Sequence, residues 1–429
     1  MKRLLKIAAA ALAVLALWAA LVVLGAREGW LRPMPAAKDD TAAFLKWAEA
    51  QYASESQGNI AIILLENGHT AQTYFASHGR PVDGNSLFQI ASISKWVTAW
   101  GVMALAEQGR VDLDAPVSQY LTRWQLPPGP FNNEEVTVRR LLSHTAGLTD
   151  GLGFLGFEEG QPLPTLEEEL AQPRDVMPGA NGSVQVGAEP GSAWRYSGGG
   201  YLILQLLIED VTQEPFNDYM QRAVLQPLGM TGSTFVEPDP GRLVDFYSAG
   251  GSLAAHYRFT ATGAASLYTS AADMARFLQA HFDGPEGAPP GRGVLSRATL
   301  EEMHAPEAFL YGLPVWGLGP TLYAPNGSGG YVIGHDGGNY PAINTTARID
   351  PATGNGIVVL QTGSATLARK IGGEWLYWQT GKVGLDTLIV LEARTILIVF
   401  ASGAILILMG AILIARTGRR RPPHSGGTD

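Results

Sequence analysis

Apolar residues along this chain fall into three patterns. Near each end lies a long uninterrupted run, Ile7 to Leu24 and Ile396 to Ala415. At about 1.5 Å per residue these make helices of roughly 27 and 30 Å, long enough to cross a bilayer. Inside them, two stretches carry short apolar runs bounded by turn residues, the pattern of strands. The middle of the chain is rich in Gly and Pro, with helical pieces between.

The spacing predicts an amphipathic helix over Thr41–Tyr52, with Phe44, Leu45 and Trp47 as its apolar positions. Asn59–Glu66 is a predicted strand, Asn67-Gly68 a hairpin turn, and Thr70–Ser77 the returning strand. A helix is predicted over Ser92–Gln108, closed by Gly109. Helical pieces follow at Val136–Ser143, Gly200–Val211 and Phe216–Leu225. Ser270-Ala-Ala-Asp273 opens another that ends near Phe282, with Asp where a capping box has Glu. Strands return from Tyr311, at Tyr331–Ile333, Ala342–Ile349 and Gly356–Gln361, before a last helix, Leu367–Thr380. This order predicts an α/β (α+β) fold. Strands from the two ends form one antiparallel sheet flanked by helices, and the insert forms a mostly helical lobe. A site is expected in the cleft between the two.

Charge orients the ends. Lys2, Arg3 and Lys6 precede the first long run, and Arg416, Arg419, Arg420 and Arg421 follow the second. Positive flanks belong in the cytoplasm, so everything between the runs is expected outside it. The first run exceeds the usual apolar stretch of a cleaved signal, and Leu24-Gly-Ala26 is a poor cleavage site; a retained anchor is expected. The expected organisation is a signal-anchor over 1–26, a linker over 27–41, a globular domain over 42–382, and a linker over 383–395. A transmembrane helix over 396–415 and a basic cytoplasmic tail over 416–429 complete it. With the net charge of −9 and so many basic residues at the ends, the middle is strongly acidic. That disfavours nucleic acid and anionic lipid surfaces as partners of the globular domain.

Composition removes several chemistries. The chain has no cysteine, which excludes disulfides, thiolate metal sites and a cysteine nucleophile. Its eight histidines show no paired metal spacing, and no phosphate-binding glycine pattern follows a strand. No metal or cofactor is expected.

Three clusters remain. In Ser92-Ile-Ser-Lys95, Ser92 and Lys95 share a helix face one turn apart. Lys95 can take the Ser92 proton if burial or a cationic neighbour lowers its pKa, and the helix N-terminus favours an oxyanion. Tyr196, on a Gly-rich turn, can share that proton transfer as a phenolate or a relay. Gly334-His335-Asp-Gly337-Gly338 lies on a strand whose glycines let a substrate approach. The N–H groups of Gly338 and Ser92 can form a two-donor oxyanion hole, and His335 can orient a substrate carboxylate. His144 stands beside Ser143, but adjacent residues rarely face each other, so no dyad is expected there.

Taken in order, these motifs resemble the serine β-lactamase and penicillin-binding-protein superfamily. They are most similar to its class C β-lactamase-related branch of D-alanyl-D-alanine carboxypeptidases and carboxylesterases. The likeness runs from about residue 42 to 363 and includes Leu113-Asp-Ala-Pro-Val-Ser-Gln-Tyr-Leu121 and Leu141-Leu-Ser-His-Thr-Ala-Gly-Leu148. It implies that Ser92 is acylated, with Lys95 and Tyr196 as proton-transfer partners and Ser92 and Gly338 as oxyanion donors. It implies substrate contacts at His335, Gly337 and Gly198. It also implies a small-molecule or peptide acyl substrate and a place in a bacterial inner membrane with the domain on the periplasmic side. Two positions depart from the pattern. Gly198 stands where the family has Asn, and His335 where class C enzymes have Lys, so a grip on a carboxylate should become pH-dependent near the reference value of about 6.5. Both favour an ester or other acyl substrate. A D-alanyl peptidase, a weak β-lactamase and a non-catalytic scaffold or sensor are the alternatives.

Overall fold

Strands from opposite ends of the globular sequence pair side by side. In the computed structural model, which describes residues 2–417 except 31, 152, 178, 179, 181, 285, 286, 340–342, 391 and 392 (and only the backbone of 389 and 390), β1 (Ile60–Glu66) turns at Asn67-Gly68 into β2 (His69–Ala76). A separate two-stranded ribbon joins β3 (Phe88–Gln89) to β4 (Tyr268–Thr269). The large sheet is completed by β5 (Ala308–Leu310), β6 (Leu313–Trp316), β7 (Thr321–Pro325), β8 (Tyr331–Asn339), β9 (Ile343–Asp350) and β10 (Asn355–Thr362). Its eight strands run in the order β2-β1-β10-β9-β8-β7-β6-β5, every neighbour antiparallel.

The apolar runs explain the arrangement. Six consecutive residues of β1 and all eight of β9 are buried, so the middle of the sheet is covered on both faces. Helix Ala271–Gln279 packs on β1, β9 and β10, and helix Ile93–Glu107 on β8 and β9. The latter is apolar nearly all round and buried from Ile93 to Leu105, the signature of a core helix. The insert has no separate core: Leu202, Leu206, Val224 and Leu225 join Ala61, Ile333, Ala347 and Val358 in one cluster. The helices of the insert pack on helix Ile93–Glu107 and on one another, so the expected mostly helical lobe shares one core with the sheet.

Several boundaries differ from expectation. Phe216–Leu225 splits into a helical turn, Phe216–Met220, and a π turn, Gln221–Leu225. The helix after Ser270 stops at Gln279. Ser270 caps it, but Asp273 binds Gly232, Ser233 and Arg276 and does not reach back as a capping-box Glu would. The strand expected over Tyr331–Ile333 continues to Asn339 and carries His335 with it. Ala342, expected to open β9, lies outside the described residues, as does the basic tail from 418 onward.

The residues up to Met34 and from Leu376 form a second unit, and the division falls inside helix Leu367–Thr380. Its two long helices, Lys2–Arg27 and Ala393–Thr417, pack against each other. The Trp18 indole N–H donates to the Phe400 carbonyl at 3.1 Å, and any side chain at Gly403 would overlap the Trp18 ring. Beyond the first helix the chain is tied to the last segment. Glu28 pairs with Lys382, Val383 N–H donates to Arg27 O at 2.8 Å, and the Tyr377 hydroxyl donates to the Gly29 and Arg32 carbonyls. The expected 383–395 linker contains a short helix, Leu385–Val390, and the long helix begins at Ala393.

Candidate active site

The chain enters helix Ile93–Glu107 through a strained turn. Ala91 has φ +48°, a left-handed conformation that costs a residue with a Cβ about 1–2 kcal/mol. The neighbours enforce it. Ile90 N–H donates to Leu267 O, the Thr345 hydroxyl to Ile90 O, and Ser94 N–H to Ala91 O. Ser94 is buried, and its hydroxyl gives a bond to Ala91 O at 2.6 Å while accepting one from Leu267 N–H at 3.0 Å. Ser92 is different. It occupies the N-cap position, yet its side chain caps nothing, and it is only half-buried.

That hydroxyl faces two partners instead. Lys95 Nζ donates to Ser92 Oγ at 3.2 Å and to the Ala264 carbonyl at 2.8 Å. Lys95 is wholly buried, and burial pulls its pKa down to about 7 against the opposing pull of Asp150. The Tyr196 hydroxyl lies near enough to Ser92 to be stabilised by it, and Lys95 Nζ lies 5.2 Å from the Tyr196 ring centre. Burial raises the Tyr196 pKa, so the phenol is neutral and the phenolate form is disfavoured.

Two buried groups hold the Tyr196 turn. Asp150 accepts from the Ser197 hydroxyl at 2.5 Å and from Gly199 N–H at 3.0 Å. His144 Nδ1 accepts from Ser197 N–H at 3.2 Å. The Ser143 hydroxyl turns away, to Arg139 O and Thr145, so the two adjacent residues form no dyad.

Strand β8 makes the third side. Gly337 lies under the turn that leads into Ser92: a Cβ there would overlap Ile90 O, so glycine lets the turn approach the sheet. Gly338 pairs with Asn344 on β9, and beside it lies Arg369, whose Nη2 would be 3.7 Å from a Cβ at that position. The Asn344 side chain accepts from Ala368 and Arg369 N–H, fixing the start of the helix that presents Arg369. His335 is buried, with its ring centre 5.3 Å from Trp316 and 6.4 Å from Tyr196. Its Nδ1 faces the Asp336 carbonyl at 2.7 Å, which can only accept, so the proton is on Nδ1 and Nε2 is left as an acceptor.

This arrangement brings together a serine, a lysine near neutrality that is hydrogen-bonded to it, and a phenol. The family model for beta-lactamase matches residues 46–382. The chain belongs to the beta-lactamase family. Esterase EstB of Burkholderia gladioli is 32% identical over 185 residues, 40% of this chain and 44% of that protein. The D-alanyl-D-alanine-carboxypeptidase/endopeptidase AmpH of Escherichia coli (strain K12) is 26% identical over 53% of this chain and 58% of that one. The match thus spans about half the length of these relatives. The octameric penicillin-binding protein homologue from Pyrococcus abyssi has the same fold, with a TM-score of 0.63, 24% identity, and coverage of 80% of this chain and 78% of that one.

The two departures from the family pattern now have surroundings. Gly198 opens helix Gly198–Thr212 with no side chain to offer Lys95, and the Ala264 carbonyl takes that ammonium. His335 does not titrate near 6.5 as its residue type suggests. Burial, then Lys95, pushes it down to about 4, so it is neutral across the working range. The cation at this edge is Arg369, a residue that sequence reasoning missed, along with Asp150 and Asn344. No motif marks any of the three.

Proposed function

We propose that the protein is a membrane-anchored serine hydrolase that acts outside the cytoplasm, through an acyl-enzyme, on an ester or related acyl substrate. The observation that carries this is the buried Lys95 amine, 3.2 Å from the Ser92 hydroxyl, with a pKa near neutrality. About half of such an amine is unprotonated at pH 7, so it can take the Ser92 proton as the oxygen attacks the acyl carbon. The Ser92 and Gly338 N–H groups receive the oxyanion. Tyr196, beside Ser92, passes the proton to the leaving group. Water then reverses the sequence and releases the acid. EstB and AmpH, an esterase and a peptidase by name, are both compatible with this chemistry.

One observation favours a second reading, a D-alanyl-D-alanine carboxypeptidase. The Arg369 side chain is about one-third exposed beside Gly338, where it can receive the carboxylate of a peptide C-terminus. A non-catalytic scaffold fits less well, because it would have no use for a buried lysine on an uncapped serine.

Parallel labelling with a fluorophosphonate and a fluorescent penicillin separates these readings. Label from the first alone supports an esterase, from both a peptidase-like site, and from neither a scaffold. The fluorophosphonate rate should rise with pH through about 7 and then level off, because burial lowers the Lys95 pKa and the reactive form is the deprotonated one. A flat profile between roughly pH 5 and 9 removes Lys95 as the base.

The anchor has its own test. Its support is the Trp18–Gly403 packing and the ties from Glu28, Gly29 and Arg32 to Tyr377 and Lys382. The membrane-bound protein is expected to retain its first helix. An export-dependent reporter should be active when fused after Lys382 and silent after Arg421. A mature chain beginning after Ala26, or the reverse reporter pattern, sinks the two-span arrangement.

A further inference from the structure

Tyr196 is held from both sides by one residue. Arg195 N–H donates to the His144 carbonyl at 2.8 Å, and Ser197 N–H donates to His144 Nδ1 at 3.2 Å. The two N–H groups flanking Tyr196 therefore end on the same histidine. The His144 ring also lies 4.4 Å from the Tyr196 ring, 5.4 Å from Tyr201 and 4.8 Å from Trp316, centre to centre. The turn thus has its backbone pinned by the carbonyl and the ring of one residue, whose ring also backs the phenol.

The bond from Ser197 fixes the chemistry His144 must have. Nδ1 accepts a backbone N–H, so it carries no proton. An imidazolium would turn that acceptor into a donor and break the clamp. Burial, then Lys95, then His335, hold the His144 pKa well below the ordinary range, which preserves the neutral ring. His144 also has φ +59°, a left-handed conformation that glycine adopts freely and that few other side chains besides asparagine, aspartate and histidine adopt. Holding it costs free energy, and what the fold obtains is an acceptor aimed at the residue after Tyr196.

We propose that His144 is the positioning residue for Tyr196, setting the phenol against Ser92 by accepting the N–H groups on both sides of it. This rests on the reading of Ser92, Lys95 and Tyr196 as the acylation machinery. It assigns a use to a histidine that touches no reacting atom. A turn released by even 1 Å would uncouple the phenol from Ser92, and displacements of that size cost about 100-fold in rate.

The test uses the full-length protein in detergent, with a fluorophosphonate as probe. Labelling saturates with probe concentration, which separates the maximal rate from half-saturation. His144→Gly keeps the permitted backbone but removes the acceptor. His144→Asn keeps the backbone and puts Oδ1 where Nδ1 was. The maximal rate of His144→Gly is expected to fall about 100-fold with half-saturation unchanged. That of His144→Asn is expected to stay within about tenfold of wild type. In a Tyr196→Phe background, His144→Gly should cost nothing further, because its effect passes through the phenol. A His144→Gly protein that labels like wild type overturns the proposal. So does a folded His144→Asn protein as slow as the glycine variant, or an added loss in the Tyr196→Phe background. Should His144→Gly not fold, His144→Asn decides the matter alone, its melting curve showing that it is folded. A wild-type protein that takes no label would instead mean that the acylation reading has failed.

Discussion

Ser92→Ala is expected to abolish turnover and covalent labelling, while Ser94→Ala keeps labelling. Two serines share one motif, and the structure gives them opposite surroundings. Ser92 is half-buried, its hydroxyl caps nothing, and it meets Lys95 Nζ with the Tyr196 phenol close by. Ser94 Oγ is buried and already occupied as donor to Ala91 O and acceptor from Leu267 N–H. Removing a nucleophile loses on the order of 4 kcal/mol or more of transition-state stabilisation, several powers of ten in rate. Removing Ser94 leaves the Leu267 N–H buried and unpaired, which costs about 1–3 kcal/mol of stability. It also loosens the turn at Ala91 that Ser94 braces. Ser94→Ala should therefore melt earlier yet still take label. Mass spectrometry of the trapped acyl-enzyme should place the added mass on Ser92. Ser197 is the other serine in the cluster, but its hydroxyl already donates to Asp150 and accepts from Gly200 N–H. Mass found on Ser94, Ser197 or Ser252 would end the proposed mechanism.

What could be read from the sequence depended on how local the contact is. Ser92 and Lys95 are one helical turn apart, so their meeting follows from helix geometry once a helix is recognised. The Asn67-Gly68 hairpin is equally local. His335, Gly337 and Gly338 were found because glycines in a strand invite explanation, although the reason at Gly337 proved to be the close approach of Ile90. The partners that tune the site could not be read. Ala264 is 169 residues from the lysine it receives, and Asp150 is 47 from Ser197. No periodicity links such pairs. Nor could the titration of His335: the residue type gives about 6.5, and only burial, visible in the fold, brings it to about 4. Along the chain His144 has only near neighbours such as Ser143 to suggest a partner, whereas in the fold it meets residues 195 to 197, Tyr201 and Trp316. The strands β5 to β7 are three to five residues long, too short for a period-two pattern to emerge.

Asp336→Asn is expected to be among the most damaging substitutions for stability in the globular unit, although Asp336 lies between two site residues and invites a catalytic reading. Its carboxylate is committed to the sheet. Arg348, on the paired strand β9, is wholly buried and bonds both Asp336 oxygens, at 3.0 and 3.2 Å. The Thr346 hydroxyl donates to Asp336 at 2.5 Å, and Arg369 Nε lies 3.7 Å away. The Arg348 guanidinium also stacks 3.7 Å from the Tyr323 ring centre. Burial alone would raise the Asp336 pKa, but Arg348 and then Arg369 outweigh it and hold the carboxyl below its ordinary range. A depressed carboxylate pKa contributes stability that is present above the unfolded value of about 3.9 and lost only as pH falls through the folded one. The gap between wild type and variant should therefore hold from about pH 5 to 8 and close only in strong acid. Removing one member of a buried pair costs about 3–5 kcal/mol, because the surviving charge stays out of water. Urea denaturation should show that loss in Asp336→Asn. Adding Arg348→Met should recover much of it, since the two substitutions together leave no buried guanidinium without its carboxylate. Labelling should follow the folded fraction in both proteins. If Asp336→Asn instead melts like wild type but fails to label, the carboxylate belongs to the chemistry and the structural assignment is wrong.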